Sequence, residues 1–196
     1  MDSASYYSES DTYCRVRSRT LMLSPRNAVL ELDEPGLKFS GNVFSLSFMM
    51  YLPSMPGSKL SIVTVSNLVV FQINTNGAGE MNNFGTGVGV FTTGTWLQVV
   101  LIRNLSWQRI YVNDVTAHDG EHNSFDFTDV AVKLTFHDSV AILLREVQLY
   151  DGEPSRLYFK QNLFRRPSYE FADLLLAYYP MNEQQGGTIY NAILGT

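Results

Sequence analysis

Cysteine is almost absent, since Cys14 is the one cysteine among 196 residues. A single cysteine cannot form an intrachain disulfide, so a disulfide framework is excluded. The first residues also lack the basic start and apolar run that are typical of a signal peptide. We therefore expect residence inside the cell, in the cytoplasm.

Charge and long apolar runs are scarce as well. Charged residues make up 17% of the chain, and the formal net charge is −5. Affinity for nucleic acid depends on clustered Lys and Arg, so we expect no nucleic-acid partner. The best apolar runs are interrupted by Arg103, His137 and Asp138 before they reach the roughly 20 residues that a membrane-crossing helix needs. We expect no membrane span.

What the sequence does have is strand periodicity. From Val43 to Leu52, apolar residues occupy alternate positions, as a half-buried strand requires. Further short runs rich in β-branched and aromatic residues predict strands at 60–65, 68–73, 96–102, 109–112, 130–136 and 140–150. A Gly/Asn-rich stretch at 74–94 is predicted as a long loop with one or two weak strands, an acidic stretch at 113–130 as a second loop, and 154–162 as a short helical turn. This pattern predicts an all-β protein, an antiparallel two-sheet sandwich with minor helix.

Several of these segments resemble a known family. Phe44 to Phe48, Gly94-Thr95-Trp96, Tyr111-Val112-Asn113 and the strand 145–150 follow one another in the order found in laminin-G-like domains of the concanavalin A-like lectin/glucanase superfamily. The chain departs from that pattern at Met49, where Trp is common, and at Asp114, where Gly is usual. The resemblance implies a concanavalin A-like jelly-roll sandwich, and it names a scaffold rather than an activity.

The chain divides into four predicted regions. Residues 1–13 form a flexible lead-in, 14–158 the laminin-G-like sandwich, 159–173 a connector, and 174–196 a displaced strand that resembles the opening strand of such a domain. An unpaired apolar edge promotes association, so Tyr178 and Tyr179 are expected to complete a sandwich. Completion occurs in cis, or in trans within a strand-exchanged homo-oligomer. The alternative is the start of a second domain.

A glucanase of this superfamily would need two carboxylates about 5 Å apart. Glu31 and Asp33 would share one face of a strand, whereas Glu34 points away. The segment lacks three alternating acids and is predicted to be a solvated approach to a turn. We therefore predict no catalytic residues and no enzyme activity, with glycan hydrolysis as the third hypothesis.

The acidic stretch contains the candidates for a metal site. Asp119, Asp126 and Asp129 are the weak candidate ligands, and calcium is the ion that some relatives bind through carboxylate oxygens. A mobile acidic loop is the favoured interpretation, so no metal or other cofactor is assigned.

Candidate contact residues fall into three groups. Arg15, Arg17 and Arg19 alternate, as on a charged edge strand or a surface that receives an acidic partner. Asn82, Asn83 and Phe84 could bond and stack against a glycan. The third group is Tyr178 and Tyr179 of the displaced strand.

Together these features favour a non-catalytic interaction module within a larger protein assembly, with other protein subunits as partners. Aromatic residues, which interfaces favour, make up 13% of the chain. The alternative is a lectin-like domain that binds a glycan, with or without calcium.

Overall fold

The computed structural model describes residues 21–22, 29–122, 126–137, 142–162, 169–181 and 192. The strands in these ranges are β1 (Leu21–Met22), β2 (Val29–Lys38), β3 (Val43–Tyr51), β4 (Leu60–Val65), β5 (Val69–Ile73), β6 (Gly79–Met81), β7 (Phe84–Gly85), β8 (Trp96–Asn104), β9 (Trp107–Val112), β10 (Val115–Glu121), β11 (Ala131–His137), β12 (Leu143–Tyr150) and β13 (Leu175–Tyr179). A short helix α1 (Arg156–Gln161) and a 3₁₀ segment (Tyr169–Leu174) precede β13.

The described strands form two antiparallel sheets. One has the order β1-β12-β3-β8-β9-β10, with β13 also paired to β12, and the other has the order β2-β11-β4-β5-β6-β7. The prediction of an all-β antiparallel sandwich with minor helix is therefore confirmed. None of the helices in the described ranges has the length and apolar character that crossing a membrane requires.

Alternation along the strands builds the core between the sheets. In β3, Phe44, Leu46, Phe48 and Met50 are fully buried in the main cluster, while Ser45 and Ser47 lie on the other face. Matching apolar side chains from the second sheet, such as Phe71 and Phe136, join the same cluster. The predicted period of two thus produces one continuous apolar layer.

A second, smaller cluster covers part of the outer face of the seven-stranded sheet. Helix α1 contributes Tyr158 and Phe159, which pack on Val100, Ile102 and Tyr150. Ser155 caps this helix, because its hydroxyl oxygen accepts a hydrogen bond from the backbone N–H of Tyr158 at 3.2 Å. The helix therefore occupies one region of the outer face.

The structure corrects two sequence interpretations. The acidic stretch at 113–130 contains the strand β10, which pairs with β9 from Val115 to Glu121. The segment 31–34 lies within β2, which pairs with β11, rather than in an approach to a turn. Polar residues form these edge strands because backbone pairing with a neighbour requires no apolar side chains.

The β9–β10 connection is a tight turn. Both Asn113 and Asp114 have positive φ, at 49° and 64°. A primed two-residue turn requires this conformation at both positions. The Asn-Asp sequence therefore builds the same kind of turn that Asn-Gly would favour.

The displaced segment lies beside β12 of its own chain. Val147 is opposite Tyr179, Gln148 is opposite Tyr178, and Leu149 is opposite Ala177. Tyr178 and Tyr179 are both buried. The division of the chain into four regions stays a prediction.

Candidate functional site

Beyond the region covered by α1, the outer face of β9 and β10 carries a polar and aromatic group. Trp107, Arg109 and Tyr111 alternate along β9, so they share this face. Glu121 and Asp119 of β10 lie directly opposite Trp107 and Arg109. We call this group the Trp107 face, and it consists of Asn104, Trp107, Arg109, Asp119, Glu121 and Glu153.

Hydrogen bonds join five of the six residues of the Trp107 face in a chain. Arg109 Nε donates to Asp119 Oδ1 at 3.0 Å, and Arg109 Nη1 donates to Glu153 Oε1 at 2.5 Å. Trp107 Nε1 donates to the same oxygen of Asp119. Asn104 Nδ2 donates to Glu153 Oε2 at 3.4 Å. These contacts fix the orientation of the five bonded side chains.

The Trp107 face is partly open to solvent. The side chains of Arg109, Asp119 and Glu153 are 30%, 42% and 28% exposed, and Trp107 is half-buried. Burial alone lowers the pKa of Arg109, but the hydrogen bond to Asp119 and the charge of Glu153 outweigh it and raise that pKa. The guanidinium therefore stays charged, and the group presents ordered donors and acceptors to solvent.

A second ionic group ties α1 to the β9–β10 turn. The carboxylate of Asp114 accepts from Arg156 Nε at 2.9 Å and lies 2.9 Å from Lys160 Nζ. Hydrogen bonds from Lys160 and Arg156 lower the pKa of Asp114. The Arg156 guanidinium lies 5.5 Å from the centre of the Tyr111 ring. This group positions the helix at the edge of the Trp107 face.

The predicted glycan contacts Asn82 and Asn83 lie in the β6–β7 turn. Both have positive φ, but their side chains differ. Asn82 Oδ1 accepts from Val70 N at 2.7 Å, and its Nδ2 donates to Leu68 O at 3.2 Å. Asn83 is exposed. Asn82 therefore holds the neighbouring hairpin, whereas Asn83 is accessible to a ligand.

Phe84, the predicted stacking residue, is 43% exposed. Its ring lies 4.6 Å from the His122 ring in an edge-to-face arrangement. Gln108, which alternates with Trp107 along β9, donates through Nε2 to Met81 O at 3.1 Å. The β6–β7 hairpin thus packs on the face of β9 opposite the Trp107 face.

The three acidic metal candidates do not form a common group. Asp119 is bonded to Trp107 and Arg109. Asp126 Oδ1 accepts from Thr128 N at 2.9 Å, which contributes to lowering the pKa of Asp126. Asp129 is exposed, and its backbone N–H donates to Phe39 O. In the described part of the chain, no group of three or more His, Cys, Asp or Glu side chains is arranged to hold a metal ion.

The remaining candidates fall partly outside the described residues. Arg15, Arg17 and Arg19 lie outside them. Glu31 and Asp33 lie in β2 opposite Thr135 and Lys133. Tyr178 lies within the sheet, where its hydroxyl donates to Glu146 Oε2 at 2.6 Å. The described contacts of Tyr178 are therefore with its own chain.

Comparison with known proteins gives a fold and no family. No family model matches the sequence, and no curated protein matches it significantly. Among solved structures, a proposed carbohydrate-binding protein from Bacteroides ovatus aligns at 16% identity with a TM-score of 0.68, over 89% of this chain and 55% of its own. The receptor-binding domain of botulinum neurotoxin mosaic serotype C/D aligns at 12% identity with a TM-score of 0.56, over 73% of this chain and 41% of its own. Trypanosoma rangeli sialidase aligns at 12% identity with a TM-score of 0.50, over 61% of this chain and 22% of its own.

These likenesses establish a β-sandwich fold. The chain spans about half the length of the Bacteroides protein and less of the other two. The finer laminin-G-like and jelly-roll assignments stay predictions.

The sequence of Arg109 to Val112 predicts a hairpin strand and does not by itself indicate the Trp107 face. The alternation of Trp107, Arg109 and Tyr111 with buried Gln108, Ile110 and Val112 was the available signal. This alternation indicates that the aromatic and charged side chains of the strand face away from the core. The contact between Arg109 and Glu153 joins residues 44 positions apart, so no local pattern predicts it.

Proposed function

We propose that this chain is a carbohydrate-binding β-sandwich module and that the Trp107 face binds the sugar. The observation that carries this proposal is the bonded chain from Trp107 through Asp119, Arg109 and Glu153 to Asn104, on a partly exposed sheet face. The lectin-like alternative is thus favoured over the assembly role, which stays a prediction.

The chemistry of this group suits saccharides. Sugar hydroxyls both donate and accept hydrogen bonds, and the Trp107 face offers carboxylate acceptors beside guanidinium and amide donors. The C–H faces of a sugar ring are apolar enough to pack on an aromatic side chain such as Trp107. Both kinds of contact are available within one surface.

The group is also ordered before any ligand binds. Arg109 and Glu153 have lost side-chain freedom through their mutual 2.5 Å ion pair. Ordering such side chains during binding would otherwise weaken affinity. The likeness to a protein that is itself proposed to bind carbohydrate supports the same function. We propose no catalytic role for this face.

A glycan array tests the proposal with matched variants. Wild type should bind a subset of glycans, and Trp107→Ala should weaken that binding at least tenfold, because truncating a central aromatic commonly costs about 2 kcal/mol. Asp119→Asn should weaken it as well. Leu157→Ala, at a 59% exposed position on α1, is the control and should bind as wild type does.

Circular dichroism and thermal melting should accompany the array, so that loss of binding is separated from unfolding. Folded Trp107→Ala protein that keeps the wild-type array pattern would contradict the proposed site. A wild-type protein that binds no glycan would contradict the function.

A further inference from the structure

If the Trp107 face binds sugar as proposed above, its charge distribution indicates which class of sugar it binds. The Arg109 guanidinium faces two carboxylates, with Nε 3.0 Å from Asp119 Oδ1 and Nη1 2.5 Å from Glu153 Oε1. One positive charge is therefore shared between two negative ones. Glu121 adds a further exposed carboxylate opposite Trp107.

An anionic sugar would meet excess negative charge there. Arg109 has N–H donors beyond the two bonded to Asp119 and Glu153, but the carboxylate of a sialic or uronic acid that reached them would lie close to both of these side chains. The single positive charge of Arg109 would then face Asp119, Glu153 and the ligand together, and like charges in contact are costly at an interface. The hydrogen bond to Asp119 and the charge of Glu153 that raise the pKa of Arg109 describe the same strong pairing.

The other cations described near this face are also engaged. Arg156 and Lys160 both pair with Asp114 at the opposite end of β9, beside Tyr111 rather than Trp107. A carboxylate bound there would lie away from Trp107. The charge distribution therefore disfavours acidic sugars at the Trp107 end.

We infer that the Trp107 face selects neutral saccharides and discriminates against those that carry a carboxylate or sulfate. The two carboxylates accept hydrogen bonds from sugar hydroxyls, and Trp107 packs on the ring. Asp119 and Glu153 thus act as specificity determinants as well as partners of Arg109.

The test is an array of neutral oligosaccharide cores, each printed uncapped, capped with sialic acid, and capped with the methyl ester of sialic acid. The ester keeps the shape of the acid and removes its charge. For each core that the protein binds, we expect the acid cap to weaken binding about tenfold or more, because like charges meet at the interface. The methyl ester cap should restore the affinity.

A second arm uses the double variant Asp119→Asn, Glu153→Gln, which removes two negative charges and leaves Arg109. In this variant the affinities for acid-capped and ester-capped glycans should differ less than they do in wild type. A cooperative thermal unfolding transition should show that the variant is folded. Equal or tighter binding of the acid cap by wild type would overturn the neutral-sugar inference while the proposed function stands. Absence of binding to every glycan would overturn the proposed function, and the inference with it.

Discussion

At the scale of single residues, the two adjacent asparagines in the β6–β7 turn differ in their side-chain contacts. Asn82 bonds the backbone of Val70 and Leu68 through its side chain, whereas Asn83 is exposed. Both adopt positive φ, so replacement by alanine costs each a similar backbone strain. The difference between the two alanine variants therefore isolates the side-chain hydrogen bonds of Asn82.

We predict that Asn82→Ala lowers the free energy of unfolding by about 0.5–1.5 kcal/mol more than Asn83→Ala does, because the half-buried backbone N–H of Val70 and C=O of Leu68 lose their side-chain partner. Urea titration of both variants measures this difference. Equal destabilisation would show that the Asn82 side chain contributes nothing beyond its backbone conformation. This pair also means that a glycan test at this turn should change Asn83 or Phe84 and leave Asn82 intact.

Glu80 gives a residue-scale prediction about pH. Hydrogen bonds from Lys59 and Asn74 lower the pKa of Glu80 below its ordinary value of 4.5. A lowered folded-state pKa stabilises the protein above the unfolded value, and this contribution is lost as pH falls through the folded pKa. Glu80→Gln should therefore flatten part of the loss of stability below pH 4.5.

The measurement is the urea midpoint of wild type and Glu80→Gln across the acidic range. Glu170→Gln, at an exposed position of the 3₁₀ segment, is the control. If Glu80→Gln and the control keep the same steep acid dependence as wild type, the Lys59–Glu80–Asn74 contacts contribute nothing measurable.

Residue patterns also explain why the Trp107 face was missed. Trp107, Arg109 and Tyr111 were visible in the sequence as alternate positions, and the strand itself was predicted. Their partner Glu153 comes from the segment before α1, and the sequence does not indicate where that segment packs. The site therefore depends on a long-range contact.

At the scale of elements, α1 is attached by its buried side and not by helix propensity, since six residues are too few for a stable isolated helix. Phe159 is 3% exposed and packs in the outer cluster. Its backbone carbonyl also accepts from Gln98 Nε2 at 3.0 Å. Leu157 of the same helix is 59% exposed.

Phe159→Ala should therefore destabilise the protein by about 3–5 kcal/mol, as truncation of a buried phenylalanine generally does, whereas Leu157→Ala should be close to neutral. Both variants place alanine, the residue with the highest helix propensity, in the same short helix, so a loss of helix propensity explains neither result. Thermal or urea unfolding measures both. A similar effect of the two changes would contradict the packing of α1 on the sheet.

Strands with an apolar period were predictable, and strands without one were not. The predicted strands at 43–52, 60–65 and 96–102 correspond to β3, β4 and β8. β10 was missed because Thr116, His118, Asp119 and Glu121 give it no apolar alternation. Its structure comes from pairing with β9 at the sheet edge, which is a tertiary effect.

For the whole molecule, the sequence predicted the sandwich, but the two-sheet arrangement decides where a site can lie. The apolar layer between the sheets consists of buried side chains from both sheets, and α1 covers part of one outer face. The Trp107 face lies next to that helix on the outer side of β9 and β10, whereas the β6–β7 hairpin packs on the other side, where Gln108 contacts Met81. This combination of a closed core and a partly covered outer face could not be predicted from strand periodicity.

The two tryptophans of the molecule allow the central claim to be tested directly. Trp96 also lies on the seven-stranded sheet, but the Arg145 guanidinium lies 4.2 Å from the centre of its ring. Trp107 belongs to the proposed sugar site. Trp96→Phe and Trp107→Phe therefore leave one tryptophan each, on the same sheet and in different surroundings, and excitation selective for tryptophan separates its signal from that of the 11 tyrosines.

The measurement is the intrinsic fluorescence of both variants during titration with the neutral oligosaccharide that binds wild type best on the array. We predict a saturable change in Trp96→Phe, whose reporter is Trp107, and little or no change in Trp107→Phe. A saturable change confined to Trp107→Phe, or no change in either variant while wild type binds the sugar, would contradict binding at the Trp107 face.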